Sequence, residues 1–481
     1  MLFNSLLFLY YFLPLVLLGN ILLQDRFRNK FLLVASLIFF AWGGVSYTFI
    51  FIGSILLNFA GGIFIDRTRS NAKRKKTVFV CIVSLNLLIL GIFKYGGFVV
   101  ENINWIYDNF GMNTLDVPRI LLPIGISFYT FHGLSYITDV YRGTTLPQRK
   151  LSDLSLYMSF FPQLIAGPIV RYKDISKQLT ERTFSYSNFN TGMYRFFIGL
   201  GKKVLVANTL AYLADTFFNS DPGNLGIFSA WLGIICYTFQ IYFDFSAYSD
   251  MAIGLARCLG FTFKENFNFP YLAESIKDFW RRWHISLSSW FKDYVYIPLG
   301  GNRNGKFKTY RNLITVFFLT GLWHGASWNF IIWGFFHGFF IILESTVFGR
   351  VLNRLWKPFR VAYGFIVVLI GWVLFRADTL EIAIAYYKAM LGMNGKSESF
   401  FNEFITKLNM EQILCLVIAI AGSFGLLKRF NDFDQDPEKE MVLGKSSLLD
   451  PFKLIFSFCL LIICTVYLIS GTYNPFIYFR F

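Results

Sequence analysis

The sequence predicts an all-α polytopic membrane protein, and three observations carry that prediction. Hydrophobic residues make up 55% of the 481-residue chain and charged residues only 15%, with 59 phenylalanines, which leaves too little polar surface for a soluble monomer of this length. Basic residues lie in short clusters between apolar runs. That is the pattern of cytoplasmic loops and anionic-lipid contacts, so the formal charge of +16 does not point to nucleic acid. The third observation is Asn312 to Leu343, thirty-two residues without an Asp, Glu, Lys or Arg that still hold two of the chain's four histidines. An ionisable group in hydrocarbon is costly and is expected to face a protein interior or a wet cavity.

Taken in order, the segments alternate across the bilayer. Leu2 to Leu23 is apolar and long enough to span, with no basic region in front and no small-residue cleavage site, so it reads as a first transmembrane helix rather than a signal peptide. The basic loops QDRFRNK and DRTRSNAKRKK are expected to be cytoplasmic. Between them, Phe31 to Ile65 is uncharged and broken at Gly43-Gly44, so it is expected to form a hairpin, with the amino terminus outside. Thr77 to Val100 then leads out, and Ile120 to Tyr141 returns to RGTTLPQRK. Ser155 to Val170 is short and interrupted by Pro162 and Gly167-Pro168, which suits a re-entrant segment. Phe196 to Phe218 and Asn224 to Phe243 form the next pair of passes.

Asp244 to Arg311 mixes charges with many aromatics. Such backbone is tolerated at membrane depth only inside protein or beside water, so a funnel open to the cytoplasm is expected there. Asn312 to Leu343, Val361 to Phe375, Ile413 to Leu427 and Leu454 to Tyr473 supply the remaining crossings, about twelve in all. Residues 1–481 read as one integral-membrane domain, with a motif-bearing core over 122–337 and both termini outside. The six cysteines lie singly in apolar segments and read as small core residues.

The chemistry concentrates in two stretches. FWRRWHISLSSWFKDYVYIPLGG, from Phe279 to Gly301, joins His284 to Arg281, Arg282, Lys292, Trp283 and Trp290. A cationic, aromatic-lined groove suits a nucleotide-like anion, with arginine and lysine on its phosphates; singly, the same residues could mark a membrane boundary. His324 lies thirteen residues into the uncharged run, roughly 20 Å along a helix and near mid-bilayer. A neutral imidazole there can take a proton from a hydroxyl attacking a thioester and return it to the thiolate, or can simply be a buried hydrogen-bonded residue. His324 and His337 would stand about 140° apart on one continuous helix, so no metal site is expected. His132 and His337 are better explained by packing. The terminal FIYFRF, residues 476–481, reads locally as an aromatic interface anchor.

RRWHISLSSWFKDYVYIPLGG and GLWHGASWNFIIWGFFHG resemble the two signature regions of the membrane-bound O-acyltransferase (MBOAT) superfamily, in its bacterial alginate and peptidoglycan O-acetylation branch. PIGISFYTFHGLSYITDVYRG and SFFPQLIAGPIVRYKD resemble that branch as well. The resemblance implies an MBOAT fold around a central tunnel in the bacterial cytoplasmic membrane. It makes His324 the superfamily's near-universal histidine and His284 its second polar position. It implies acetyl-coenzyme A as the cytoplasmic donor and an extracytoplasmic SGNH-type transferase as partner, which places the acetyl on a polysaccharide. It also turns FIYFRF from an anchor into a relay that carries acetyl on Tyr478. Two alternatives are a D-alanyl transferase for teichoic acids in the same superfamily and, in another class, a transporter or channel.

Overall fold

The structure is a computed structural model that describes residues 1–117, 122–165, 167–182, 184–394, 401–402, 405–406, 408–427, 451–471 and 473–475. Helices dominate, and no strand occurs among the described residues. Among the described residues, six helices are long and apolar enough to cross a membrane: Val45–Arg67, Ala72–Asn109, Tyr186–Phe218, Ile227–Cys258, Lys357–Arg376 and Pro451–Ile469. Phe8–Leu22, Trp328–Glu344 and Met410–Ser423 are shorter apolar helices. The chain forms two compact units: Met1–Phe189 with Leu255–Lys264, and Asn190–Gly254 with Glu265–Phe481.

In the first unit, the uncharged run Phe31 to Ile65 does form a hairpin. Asp25–Ala41 turns through Gly43-Gly44 into Val45–Arg67, and Gly44 takes a φ of 147° that side chains avoid. Buried amides tie Val45–Arg67 to the next helix, Ala72–Asn109: Asn58 and Asn86 exchange hydrogen bonds of 3.0 and 3.2 Å. In hydrocarbon such a pair satisfies groups that lipid cannot. The segment expected to be re-entrant is broken as anticipated. Leu151–Ser159 is followed by the short helix Phe161–Leu164 with proline at its start, and residues 167–171 are then non-helical. Phe160, Phe161, Gln163 and Leu164 are buried in protein, which makes this irregular backbone tolerable.

In the second unit two expectations need correction. Asp244 and Asp250 do not open the irregular funnel; they lie inside the helix Ile227–Cys258. Their charges are matched by residues from the helical stretch before it. Lys203 meets Asp244 at 2.5 Å, while Lys202 and Arg195 meet Asp250 at 2.9 and 2.7 Å. Arg195 also reaches Glu265 at 2.5 Å. Buried charges paired in this way can stay within a crossing helix. The irregular backbone starts after Cys258 and holds the short helices Ile276–Arg282 and Ile285–Phe291.

The second correction concerns Asn312 to Leu343, which is not one continuous crossing. Lys306–His324 ends at His324, and Trp328–Glu344 returns after an extended turn. The two arms pack backbone to backbone. A Cβ on Gly321 would fall 2.3 Å from the Phe330 carbonyl oxygen, and one on Gly334 would fall 2.2 Å from that of Phe317. His324 therefore stands at the turn of a helical hairpin rather than midway along a rod, and the 140° separation from His337 does not apply.

Candidate functional site

The hairpin turn gathers three of the four histidines into one aromatic cluster of the second unit. The His324 ring lies 4.9 Å from Trp323, 5.0 Å from Trp333 and 5.1 Å from Phe375, and it is 7% exposed. Trp323 also meets His284 at 6.0 Å, and Trp333 meets His337 at 5.0 Å. His337 is fully buried between Phe279, Trp280 and Phe336, and neither of its ring nitrogens has a hydrogen-bond partner among the described residues.

His284 is held with unusual definition. It joins the helices Ile276–Arg282 and Ile285–Phe291 with φ of 43°, one of two non-glycine residues in the left-handed region among those described. A strained, non-glycine backbone persists only where its surroundings over-determine it, and functional sites collect such residues. The surroundings here are Asn266, whose Oδ1 accepts from the Ser286 backbone N–H at 3.1 Å and from the Ser286 hydroxyl at 2.9 Å. A backbone N–H can only donate, so that amide atom is the oxygen. His284 Nδ1, 3.2 Å away, is then the protonated nitrogen that donates to it. Nε2 is left as a lone pair with no partner among the described residues. Asn266 in turn donates to the Ser249 hydroxyl at 2.9 Å. Asn266 carries no signal in the sequence, and its role emerges only from this contact set.

Two cavities lie along the hairpin, one beside its arms and one at its turn, and His324 itself lines neither. The first, about 250 Å³, is lined by Lys277, Arg281 and Lys292 together with Trp280, Phe291 and Tyr296, and runs along Phe317 and Thr320 of the first hairpin arm. Arg281 and Lys292 form no ion pair among the described residues and are exposed. The second, about 200 Å³, is lined by Gly325, Ala326 and Ser327 of the turn and by Phe375, Arg376 and Tyr237. Thr320, one turn before His324, thus belongs to the wall of the first cavity, and Gly325, just after it, to the wall of the second.

The remaining sequence-nominated residues fall elsewhere. Arg282 pairs with Asp278 at 2.9 Å, one turn back on its own helix. Trp283 is 2% exposed and lies in the aromatic core, 5.0 Å from both Phe267 and Trp372. Trp290 packs on Phe291 and Tyr294. Tyr478 and the rest of 476–481 lie outside the described residues, but the chain just before them is anchored. Lys203 Nζ donates to the Pro475 carbonyl at 2.5 Å, Asn208 donates to Asn474 at 3.0 Å, and the Tyr473 hydroxyl donates to Asp215 at 2.5 Å. Asp215 also pairs with Arg376, which edges the second cavity. No group of three or more potential metal ligands occurs among the described residues.

A family model described as MBOAT, membrane-bound O-acyltransferase family, matches residues 149–377, a span that contains the hairpin, His284, the first cavity and all of the second but Asp378. The chain is 42% identical over its whole length to the whole of a probable alginate O-acetylase AlgI of Pseudomonas putida. It is 34% identical to the peptidoglycan O-acetyltransferase of Helicobacter pylori, over 100% of this chain and 98% of that one. Its likeness to the teichoic acid D-alanyltransferase of Bacillus subtilis, also at 34% identity, covers 49% of this chain and 61% of that protein.

Proposed function

This chain belongs to the membrane-bound O-acyltransferase family, and from that premise we propose that it moves acetyl from cytoplasmic acetyl-coenzyme A through the membrane for O-acetylation of an extracytoplasmic polysaccharide. The observation that carries the reading is the position of His324, with a cation-edged cavity beginning one turn before it and a second cavity beginning one residue after it. In this reading the coenzyme's phosphates lie near Arg281 and Lys292, Arg282, Trp283 and Trp290 take no part in holding them, and the thioester reaches His324. An acceptor hydroxyl arrives from the other cavity. Its oxygen attacks the carbonyl carbon, the C–S bond breaks, and the proton passes from the hydroxyl through His324 to the departing thiolate.

The hydrogen-bond pattern refines the part played by His284. A lone pair on Nε2 cannot polarise a carbonyl, but it can hold the proton of an incoming hydroxyl, so His284 orients the acceptor rather than the thioester. His284→Ala is expected to lower coenzyme A release by about 10²-fold, the range for loss of one positioned hydrogen-bonding group. His284→Asn should recover part of that loss, since asparagine tolerates left-handed backbone and keeps an acceptor oxygen. His284→Ala turning over at the unaltered rate would remove His284 from the reaction.

Arg281→Gln with Lys292→Gln should raise KM for acetyl-coenzyme A by about tenfold while kcat changes little, because the lost charges hold ground state and transition state alike. An unchanged KM would move the donor site elsewhere.

The acetyl branch is favoured over D-alanyl transfer because the O-acetylating relatives match over the full chain, whereas the D-alanyltransferase matches over half of it. An SGNH-type partner on the outer face, the cytoplasmic membrane as location and outward-facing termini complete the proposal. It is tested with isotope-labelled acetyl-coenzyme A added to one side of sealed vesicles containing the full chain. Covalent transfer of label to the protein or to an acceptor on the far side supports it. Passive flux without transfer means a channel and overturns it.

A further inference from the structure

Away from the histidine site, one cavity of the first unit has the make-up of a ligand site. It holds about 500 Å³, within the range of roughly 300–1,000 Å³ typical of small-molecule pockets, and lies where the first apolar helix gives way to Asp25–Ala41. Arg26, Arg28, Lys30, Lys150 and Arg182 line it, against two acids, Asp25 and Asp153. Asp25 is already paired with Arg28 at 2.5 Å. Arg182 is half-buried, with its guanidinium 4.4 Å from the Phe261 ring, and it donates to Asn29. Burial, and then the neighbouring Arg28 charge, pull the Arg182 pKa down to about 10. An anion among these cations would relieve that repulsion.

The buried part of the wall asks for the opposite. Asn20 is 2% exposed, and its Oδ1 has no hydrogen-bond partner among the described residues; Asp153, 7% exposed, is a second buried acceptor. The unpartnered Asn20 oxygen needs a donor, the Asp153 carboxylate can take another, and a fully ionised phosphate alone supplies none. A phosphate that carries hydroxyls satisfies both halves of the cavity at once. The helix that bears Asn20 also shows where such a ligand could be tethered. Tyr11, Leu15, Leu18 and Leu22 are all exposed, spaced so that they form one apolar face leading to the cavity.

We propose that this cavity binds the hydroxyl-bearing phosphodiester headgroup of an anionic glycerophospholipid, with acyl chains lying along the Tyr11–Leu22 face. The cations Arg26, Lys30 and Arg182 hold the phosphate, and Asn20 and Asp153 accept from the headgroup hydroxyls. A basic pocket beside membrane helices is a recurrent way to hold such headgroups. The assignment is independent of the acyl-transfer reading.

Native mass spectrometry of the full chain in nonionic detergent tests it, with phosphatidylglycerol, phosphatidylcholine and soluble glycerol phosphate titrated separately. Phosphatidylglycerol is expected to bind at least about tenfold tighter than phosphatidylcholine, since each basic residue contributes about a fivefold preference. Arg26→Gln with Lys30→Gln, both at exposed positions that leave the core intact, should weaken it by about tenfold or more. Asn20→Leu should weaken phosphatidylglycerol while leaving phosphatidic acid, which lacks the hydroxyls, little changed. Phosphatidylglycerol bound no better than phosphatidylcholine, or unaffected by the double substitution, overturns the site. Soluble glycerol phosphate bound as tightly as the lipid overturns the lipid assignment.

Discussion

Purified His324→Ala protein should release coenzyme A from acetyl-coenzyme A about 10²–10⁴-fold more slowly than the unaltered chain, with KM for the donor little changed. The reason is positional. His324 ends one hairpin arm, packed against Trp323, Trp333 and Phe375, and lies in the chain between Thr320 on the wall of the first cavity and Gly325 on the wall of the second. Removing the imidazole leaves the attacking hydroxyl with no group to take its proton and the thiolate with none to return it. His324→Gln, which keeps the volume and polarity but not the basicity, should be as slow as His324→Ala. Turnover at the unaltered rate in either variant would place the proton transfer on another group.

Mass spectrometry of Tyr478→Phe should find no acetylated carboxyl-terminal peptide, and transfer to the outer acceptor should fall to background, while thioester binding persists. Pro475 is fixed by Lys203 at 2.5 Å, and Tyr478 follows three residues later, at most about 11 Å of extended chain. Tyr473, just before the anchor, shares Asp215 with Arg376, which edges the cavity at the hairpin turn. Phenylalanine retains the ring and so any anchoring at the interface, but removes the hydroxyl that would form the ester. Undiminished transfer to the outer acceptor by Tyr478→Phe would make FIYFRF an anchor and leave the acceptor hydroxyl to the partner.

Much of the helical plan is legible because it depends on charge and length. The hairpin at Gly43-Gly44 follows from an uncharged run too long for one crossing between two basic loops, and the interruption after Ser159 follows from Pro162 and Gly167. The turn after His324 does not announce itself. One long helix and two packed arms demand the same apolar composition, and Gly321, Gly325 and Gly334 reveal their purpose only once Phe317 and Phe330 are seen against them. Asp244 and Asp250 suggested loop because carboxylates are costly in a crossing helix, and their partners Lys203, Lys202 and Arg195 are contributed by another stretch of the chain. His284 stood out by its company of arginine and tryptophan. Asn266, which sets its tautomer, did not, since either of the two asparagines in ENFNF differs in nothing from one in an ordinary loop.

The most direct test of the acyl-transfer account is an experimental density map of the full chain with coenzyme A bound. The account predicts the phosphates beside Arg281 and Lys292, the pantetheine arm passing Trp280 and Thr320, and the thiol within hydrogen-bonding distance of the His324 ring. Coenzyme A seated elsewhere, or a His324 ring closed off from the cavity that carries those cations, would contradict it.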